Sequence, residues 1–294
     1  MSRQAPAAIS ATTAFVKSAA PREFPFSDRE FEKIARKLYA EAGIDMPRSK
    51  EPLVYSRLAK RIRALGLDSF ADYVKLIEEP GTDEIEHMLV ALTTNVTRFY
   101  REPHHFADLK SRLMPALAER ARRRGRVRMW SAGCSSGQEP YSMAMTVLDA
   151  MPDAGSFDVK ILATDINTQV VREARLGAYQ REALNGAPQP LVERYFSRPE
   201  PGILQAGDEL KRLIAFRTLN LMGDWPMKGT FDVVFCRNVT IYFDEETQAR
   251  LWKRIADKIA PGGRLYIGHS ERVSGPALDI LFTDGVTAYT KVGP

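Results

Sequence analysis

From Phe26 to about Leu92 apolar residues recur at three- and four-residue steps, and beyond Val127 short apolar runs alternate with helical stretches. The first pattern predicts helices packed by one face, the second predicts strands and crossover helices. Ser27, with Glu30 three residues on, has the layout of a capping box ahead of Phe31, Ile34 and Leu38. A second helix follows Pro52, with Val54, Leu58, Ile62 and Leu65 on its apolar side and Gly66 at its end. Helices over about 69–78 and 83–92 complete a small bundle.

In the second part a strand from Val127 breaks into Gly133-Cys-Ser-Ser-Gly137, and a helical pattern follows over Ser142 to Leu148. A second strand (159–163) runs into Thr-Asp-Ile-Asn, and a helix is expected over 168–175. Seven Gly and Pro residues interrupt 179–217 (Gly186, Pro188, Pro190, Pro199, Pro201, Gly202 and Gly207), which predicts an inserted subdomain of short strands and a helix rather than one crossover. Core strands are expected over 214–220, 231–236 and 264–268. A helix over 245–259 is stopped by Pro-Gly-Gly, and a hairpin over 282–292 turns at Asp284–Gly285. The fold class is α/β: a Rossmann-like sheet with an inserted small β-subdomain (179–217), preceded by an N-terminal helical domain. The expected division is a tail over 1–24, rich in Ala, Ser, Thr and Pro, helices over 25–92, a linker and connecting helix over 93–125, and the sheet over 126–294.

The turn after the first strand carries the candidate chemistry. Gly133 and Gly137 permit backbone conformations closed to other residues and let a ligand approach the main chain, and the following helix points free N–H groups there. Asp165, at the end of the neighbouring strand, suits both hydroxyls of a ribose; its other reading is the N-cap of the next helix. The spacing Gly133-x-x-x-Gly137 lacks the third glycine of a dinucleotide fingerprint, and there is no Walker A loop. A strand–turn–acid pattern closed by a hairpin fits a methyltransferase sheet better. Gly133-x-Ser135-x-Gly137 also matches a nucleophile elbow, with Asp232 or Asp244 and then His269 in hydrolase order. That reading ranks lower, because the turn ends the first strand of the sheet.

Length and charge sharpen the picture only a little. The chain's 294 residues exceed one compact core, and 44% apolar with 27% charged residues is an ordinary globular balance. No apolar run reaches the roughly 20 residues of a membrane span, and no signal-peptide pattern opens the chain. A net charge of +5 admits an acidic partner: nucleic acid, anionic lipid or protein. Arg57, Lys60 and Arg63, flanked by Arg61, gather on the polar side of the second helix. They make either a solvated face or a docking face for a Glu-rich partner. Cys134 and Cys236 read as buried free thiols, and no metal-ligand spacing is present. Asn95, Thr97 and Arg101 place donors and acceptors in a segment too polar for a plain linker.

Five motifs in order resemble the signature set of the CheR family, the chemotaxis receptor methyltransferases. They are Thr-Thr-Asn-Val-Thr-Arg-Phe-Tyr-Arg-Glu, Gly-Cys-Ser-Ser-Gly-Gln-Glu-Pro-Tyr-Ser, Ala-Thr-Asp-Ile, Phe-Cys-Arg-Asn-Val-Thr-Ile-Tyr-Phe and Gly-His-Ser-Glu. The resemblance implies transfer of a methyl group from S-adenosylmethionine to glutamate γ-carboxylates on the cytoplasmic coiled coil of chemoreceptors. It implies cofactor contacts from Asn95, Thr97, Arg101, Gly133, Glu139, Asp165, Asn220, Leu221, Arg237 and Asn238. Arg101 and Tyr242 are expected beside the transferring methyl, and Arg57, Lys60, Arg61 and Arg63 against the receptor. The stretch 196–209 is shorter than the loop with which tethered members hold a C-terminal receptor pentapeptide, so no tether is expected. A cytoplasmic location, no nucleic-acid partner and no membrane insertion follow. Two competitors remain: a nucleic-acid methyltransferase, which would carry a proline pair after the fourth strand, and a non-catalytic S-adenosylmethionine sensor.

Overall fold

The computed structural model describes residues 22–293; the expected tail therefore lies, up to residue 21, outside the described residues. Helices α1 (Asp28–Ala42), α2 (Glu51–Leu65), α3 (Phe70–Glu78) and α4 (Glu84–Leu92) share one apolar core built from Ile34, Leu38, Val54, Leu58, Ile62, Phe70, Tyr73 and Met88. The Ser27–Glu30 capping box forms, and left-handed glycines at 43 and 66 end the first two helices. Leu65 departs from expectation. It is 37% exposed at the last position of α2, beside the Gly66 that ends the helix.

A polar linker leads into α5 (Pro103–Asp108), which passes through one π-turn (Leu109–Leu113) into α6 (Met114–Arg122). Pro115 near the start of α6 has no N–H to continue the ladder, which accounts for the break in pitch. The sheet follows. Strands β1 (Val127–Ala132), β2 (Val159–Asp165), β6 (Ile214–Thr218), β7 (Phe231–Cys236), β8 (Ile259–Ile267), β9 (Leu281–Thr283) and β10 (Ala288–Lys291) lie in the order β6-β2-β1-β7-β8-β10-β9. The first five are parallel to one another, and the β9–β10 hairpin closes the edge antiparallel.

Alternation along the strands sorts the two faces. Met129, Ile161, Val233 and Phe235 pack with α7 (Gln138–Ala150) and α8 (Thr168–Leu176). Trp130, Val234, Leu265 and Ile267 pack with α11 (Glu245–Lys258). Between α8 and β6 the chain makes a separate three-stranded antiparallel sheet from β3 (Ala178–Gln180), β4 (Phe196–Glu200) and β5 (Ile203–Ala206), with helices α9 (Gln189–Tyr195) and α10 (Asp208–Leu213).

Two element boundaries move by four residues or more. Helix α7 starts at Gln138 rather than Ser142, because Pro140 in a first turn gives up only an N–H that would have no partner anyway. Strand β8 begins at Ile259 rather than Arg264: Ile259 pairs with Phe231 and Arg264 with Val233, so Pro-Gly-Gly is an internal bulge, not a separate turn.

Candidate functional site

Three left-handed residues in five bend the chain sharply after β1: Gly133 (φ 82°), Ser135 (φ 50°) and Gly137 (φ 96°). The N–H groups of Gly133 and Cys134 both donate to the Thr164 carbonyl, and the Ser135 N–H donates to Asp165 Oδ2 at 2.8 Å. The bend is thereby tied to the end of β2. The two glycines do different work. A Cβ at Gly133 would sit 2.3 Å from Val239 Cγ2, on the ligand side of the turn. One at Gly137 would meet Tyr179 Oη at 2.8 Å and Ala174 Cβ at 2.9 Å, so Gly137 serves packing against α8 and β3, not ligand approach.

Asp165 is buried, and its Oδ1 accepts from Asn167 N–H at 3.0 Å. The cap of α8 is Asn167, whose side chain accepts from the N–H groups of Gln169 and Val170. The helix-cap reading of Asp165 thus gives way, and its carboxylate is left with acceptor capacity toward the cavity it lines. Burial pushes its carboxyl above the ordinary range, opposed by the N–H groups of Asn167, Ser135 and Ile166.

Beside it runs a chain of buried charges. Glu139, in the first turn of α7, accepts from Ser131 Oγ at 2.7 Å and from Arg237 Nη1 at 3.1 Å. Burial raises the Glu139 carboxyl, and Arg237 works against that rise. Arg237 also donates to the Arg101 carbonyl, and its Nη2 lies 3.3 Å from Glu102 Oε2, a close ion pair rather than an aligned hydrogen bond. Glu102 resists burial and stays below the carboxylate range through Arg237 and through His269, whose Nδ1 is 3.1 Å away. Tyr100 (φ 51°), Glu102 (φ 56°) and Asn238 (φ 58°) are left-handed without being glycine, and all three flank this chain. Such backbone is held only where the surroundings over-determine it.

All eleven residues expected at the cofactor or the methyl line one cavity of about 450 Å³: Asn95, Thr97, Arg101, Gly133, Glu139, Asp165, Asn220, Leu221, Arg237, Asn238 and Tyr242. One further wall comes from the bundle, through Ala42, Ile44 to Pro47, Lys50, Leu53 and Leu92. Sequence reasoning did not place that wall. The bundle is pinned there by a bridge between Ile44 and Phe243 and by Asp45 N–H donating to the Tyr242 carbonyl at 2.8 Å. Asn220 adds a third pin, its Nδ2 donating to the Glu41 carbonyl at 2.6 Å. A small molecule with polar groups fits this hollow: Asn238 Oδ1 is buried there with no partner, an acceptor waiting for a donor.

The docking residues lie elsewhere, on α2, and do not share one role. Arg57 Nη1 donates to the carbonyls of Ala91, Leu92 and Thr93, closing the end of α4. Arg61 holds buried Glu84 through Nε at 2.7 Å and Nη2 at 2.6 Å. Lys60 and Arg63 stay exposed, Arg63 paired with Glu23 at 2.9 Å. Of the cations expected on the polar side of α2, Arg57 and the flanking Arg61 thus face acceptors within the bundle, and Lys60 and Arg63 remain exposed.

The hydrolase constellation does not assemble. Ser135 Oγ donates to the Asn95 carbonyl, and His269 pairs with Glu102. Asp232 takes Arg120 and the Arg128 N–H, while Asp244 caps α11. Both cysteines are buried free thiols.

Residues 95–284 match the SAM-binding domain of CheR methyltransferase, and residues 29–93 match its all-alpha domain. The "Probable chemotaxis protein methyltransferase" of Rhizobium etli is 50% identical over 86% of this chain and 96% of its own length. Chemotaxis protein methyltransferase 2 of Pseudomonas aeruginosa is 45% identical over 85% of this chain and 89% of its own. The chemotaxis protein methyltransferase of Escherichia coli is 41% identical over 84% and 86%.

Proposed function

This chain belongs to the CheR methyltransferase family, a family that binds S-adenosylmethionine, and on that premise we propose that it esterifies glutamate γ-carboxylates on the cytoplasmic helices of chemoreceptors. The observation that carries the reading is the cavity shared by bundle, linker and sheet, in which Arg101 and Tyr242 stand on the same wall system as Asp165 and Asn238.

A glutamate side chain, with an ordinary pKa of about 4.3, is already a nucleophile at neutral pH, so no general base is required. The cofactor, when bound, supplies a methyl group on a sulfonium. The chain's own part is placement. Asp165 would hold the sugar hydroxyls, Asn238 and Glu139 would accept from the cofactor's donors, and Asn95 and Thr97 of the linker line the same cavity. Arg101 and Tyr242 would orient the substrate carboxylate toward the methyl and exclude water. The division into a helical domain over 25–92 and a catalytic domain over 126–294, joined by the linker segment 93–125, follows the same reading.

The receptor is met electrostatically by the exposed cations of α2. No C-terminal pentapeptide tether is proposed, since β4 and β5 are joined by Pro201 and Gly202 alone. The proposed location is the cytoplasm, with no nucleic-acid partner and no membrane insertion; among the described residues no helix is long and apolar enough to cross a membrane.

Methyl-labelled S-adenosylmethionine and receptor cytoplasmic fragments test this directly. Label should enter the receptor and leave as methanol in alkali. Alkali-stable label on RNA, or none on any substrate, rejects the proposal. Arg101→Ala and Tyr242→Phe should each lower turnover by about tenfold or more, with a smaller change in S-adenosylhomocysteine affinity. Unchanged turnover in both removes them from the reaction.

A further inference from the structure

Glu271 lies 4% exposed and lines no part of the cavity. Its carboxylate nevertheless accepts five hydrogen bonds. Oε1 takes Val239 N–H at 2.9 Å, Thr240 N–H at 2.7 Å and Thr240 Oγ at 2.9 Å. Oε2 takes Asn238 N–H at 2.8 Å and Gly268 N–H at 2.6 Å. Three of the four backbone donors are successive residues leaving β7, and the fourth leaves the adjacent parallel strand β8. One side chain thus joins two neighbouring strand exits at the carboxyl edge of the sheet.

The local sequence is shaped to allow this. Asn238 takes a left-handed conformation that turns the next amides toward a common point. At Gly268 a Cβ would fall 2.6 Å from Asn238 Nδ2 and 2.8 Å from Glu271 Oε2, so only glycine lets the three approach. Only a carboxylate presents acceptors on both arms; an amide offers one acceptor arm and one donor arm.

The segment so gathered runs on into a 3-10 turn over Thr240–Tyr242. Its far end is held by the Ile44–Phe243 bridge and by Asp45 N–H on the Tyr242 carbonyl. Tyr242 lies between the two fastenings, 36% exposed, and no described residue is hydrogen-bonded to its hydroxyl. Its aim therefore depends on its rotamer and on the backbone that restricts that rotamer on either side.

We infer that Glu271 is a positioning residue of the methyl-transfer site, fixing the path of the Asn238–Tyr242 segment and through it the direction in which the Tyr242 hydroxyl points. The inference rests on the role given to Tyr242 under the proposed function. It separates the two ends of the segment by task. The bundle holds the segment from outside, while Glu271 holds it from within the sheet.

A double-mutant cycle tests it, because two residues acting through one another cannot have independent effects. Glu271→Gln sets an NH2 group against N–H donors. It should lower turnover on receptor fragments by about a hundredfold, the scale of a displacement near 1 Å at a reacting group. The dissociation constant for S-adenosylhomocysteine, which Asn238 also holds under the proposed function, should rise by less than turnover falls. In a Tyr242→Phe background the further loss should be severalfold smaller. Equal losses in both backgrounds, within the roughly twofold agreement of independent sites, overturn the inference.

If Glu271→Gln no longer melts cooperatively, Thr240→Val goes through the same cycle. It removes only the hydroxyl donor to Oε1 and leaves the carboxylate in place. Coupling to Tyr242→Phe supports the inference and additivity overturns it. The failures are distinguishable. A parent that methylates no receptor rejects the proposed function. A Tyr242→Phe variant as fast as the parent rejects the role of Tyr242, and Glu271's with it. A slow Tyr242→Phe with additive Glu271→Gln rejects Glu271 alone.

Discussion

His105 shows what one buried side chain does to the whole molecule's response to pH. It is 1% exposed, with Nε2 at 2.8 Å from Thr287 Oγ1 and 3.3 Å from the Val286 carbonyl. Burial, then Arg237 and His104, pull its pKa down to about 3, against Glu102 and the Val286 carbonyl. In the unfolded chain it titrates near 6.5. Between those values the unfolded state binds a proton that the folded state refuses, so stability falls as pH falls from about 6.5 toward 3. By pH 4.5 the loss is about 2–3 kcal/mol. Glu102, held low, adds its loss only below about pH 4.3. Glu139 and Asp165, raised by burial, act in the opposite sense over part of the range. Comparison with a His105→Gln variant therefore isolates the ring: its thermal midpoint should drop less between pH 6.5 and 4.5 than the parent's. Parallel curves would show that the ring does not titrate this way. The sequence displays the His104–His105 pair, but nothing near it announces Thr287 or Arg237, which lie more than 130 positions away.

Helix α2 carries the same lesson at the scale of an element. Its period of 3.6 puts Arg57, Lys60 and Arg63 on the polar side, with Arg61 flanking. What lies opposite each cation depends on where α3 and α4 cross α2. Arg61 meets Glu84, itself bonded to Tyr73 Oη at 3.0 Å, and Arg57 meets the end of α4. These contacts divide the predicted effects. Arg61→Ala leaves Glu84 buried without its partner and should cost about 3 kcal/mol in denaturant unfolding. Lys60→Glu with Arg63→Glu should change stability by less than about 0.5 kcal/mol, as exposed substitutions do. That pair should raise the KM for receptor fragments, more so at low salt, while S-adenosylhomocysteine binds as before. An unaltered receptor KM at low salt would take docking away from this helix.

The cavity belongs to the molecule as a whole, since bundle, linker and sheet each supply a wall. A ligand there must stabilise both bodies together. S-adenosylhomocysteine at a hundred times its dissociation constant should raise unfolding free energy by about 2.7 kcal/mol. Amide exchange should slow not only at Gly133–Ser135 and Asn238–Tyr242 but also at Ile44–Met46 and across the linker. Protection limited to the sheet loops would mean that the bundle is a bystander to cofactor binding.

The sequence by itself determined the order and kind of the main elements and the bend at Gly133, which follow from periodicity, capping and backbone sterics acting within about ten residues. The residues that gather at the carboxyl edge of the sheet were legible through the resemblance of five motifs to the CheR family. Only the tertiary structure decided that Gly137 serves packing, that Arg57 and Arg61 turn inward, that Asn167 rather than Asp165 caps α8, and that Ile44 and Asp45 complete the cavity. It also decided the work of Glu271, whose motif was visible but whose five donors were not. A buried polar group must find its partners wherever the fold brings them, and no local pattern records a partner that arrives from another strand.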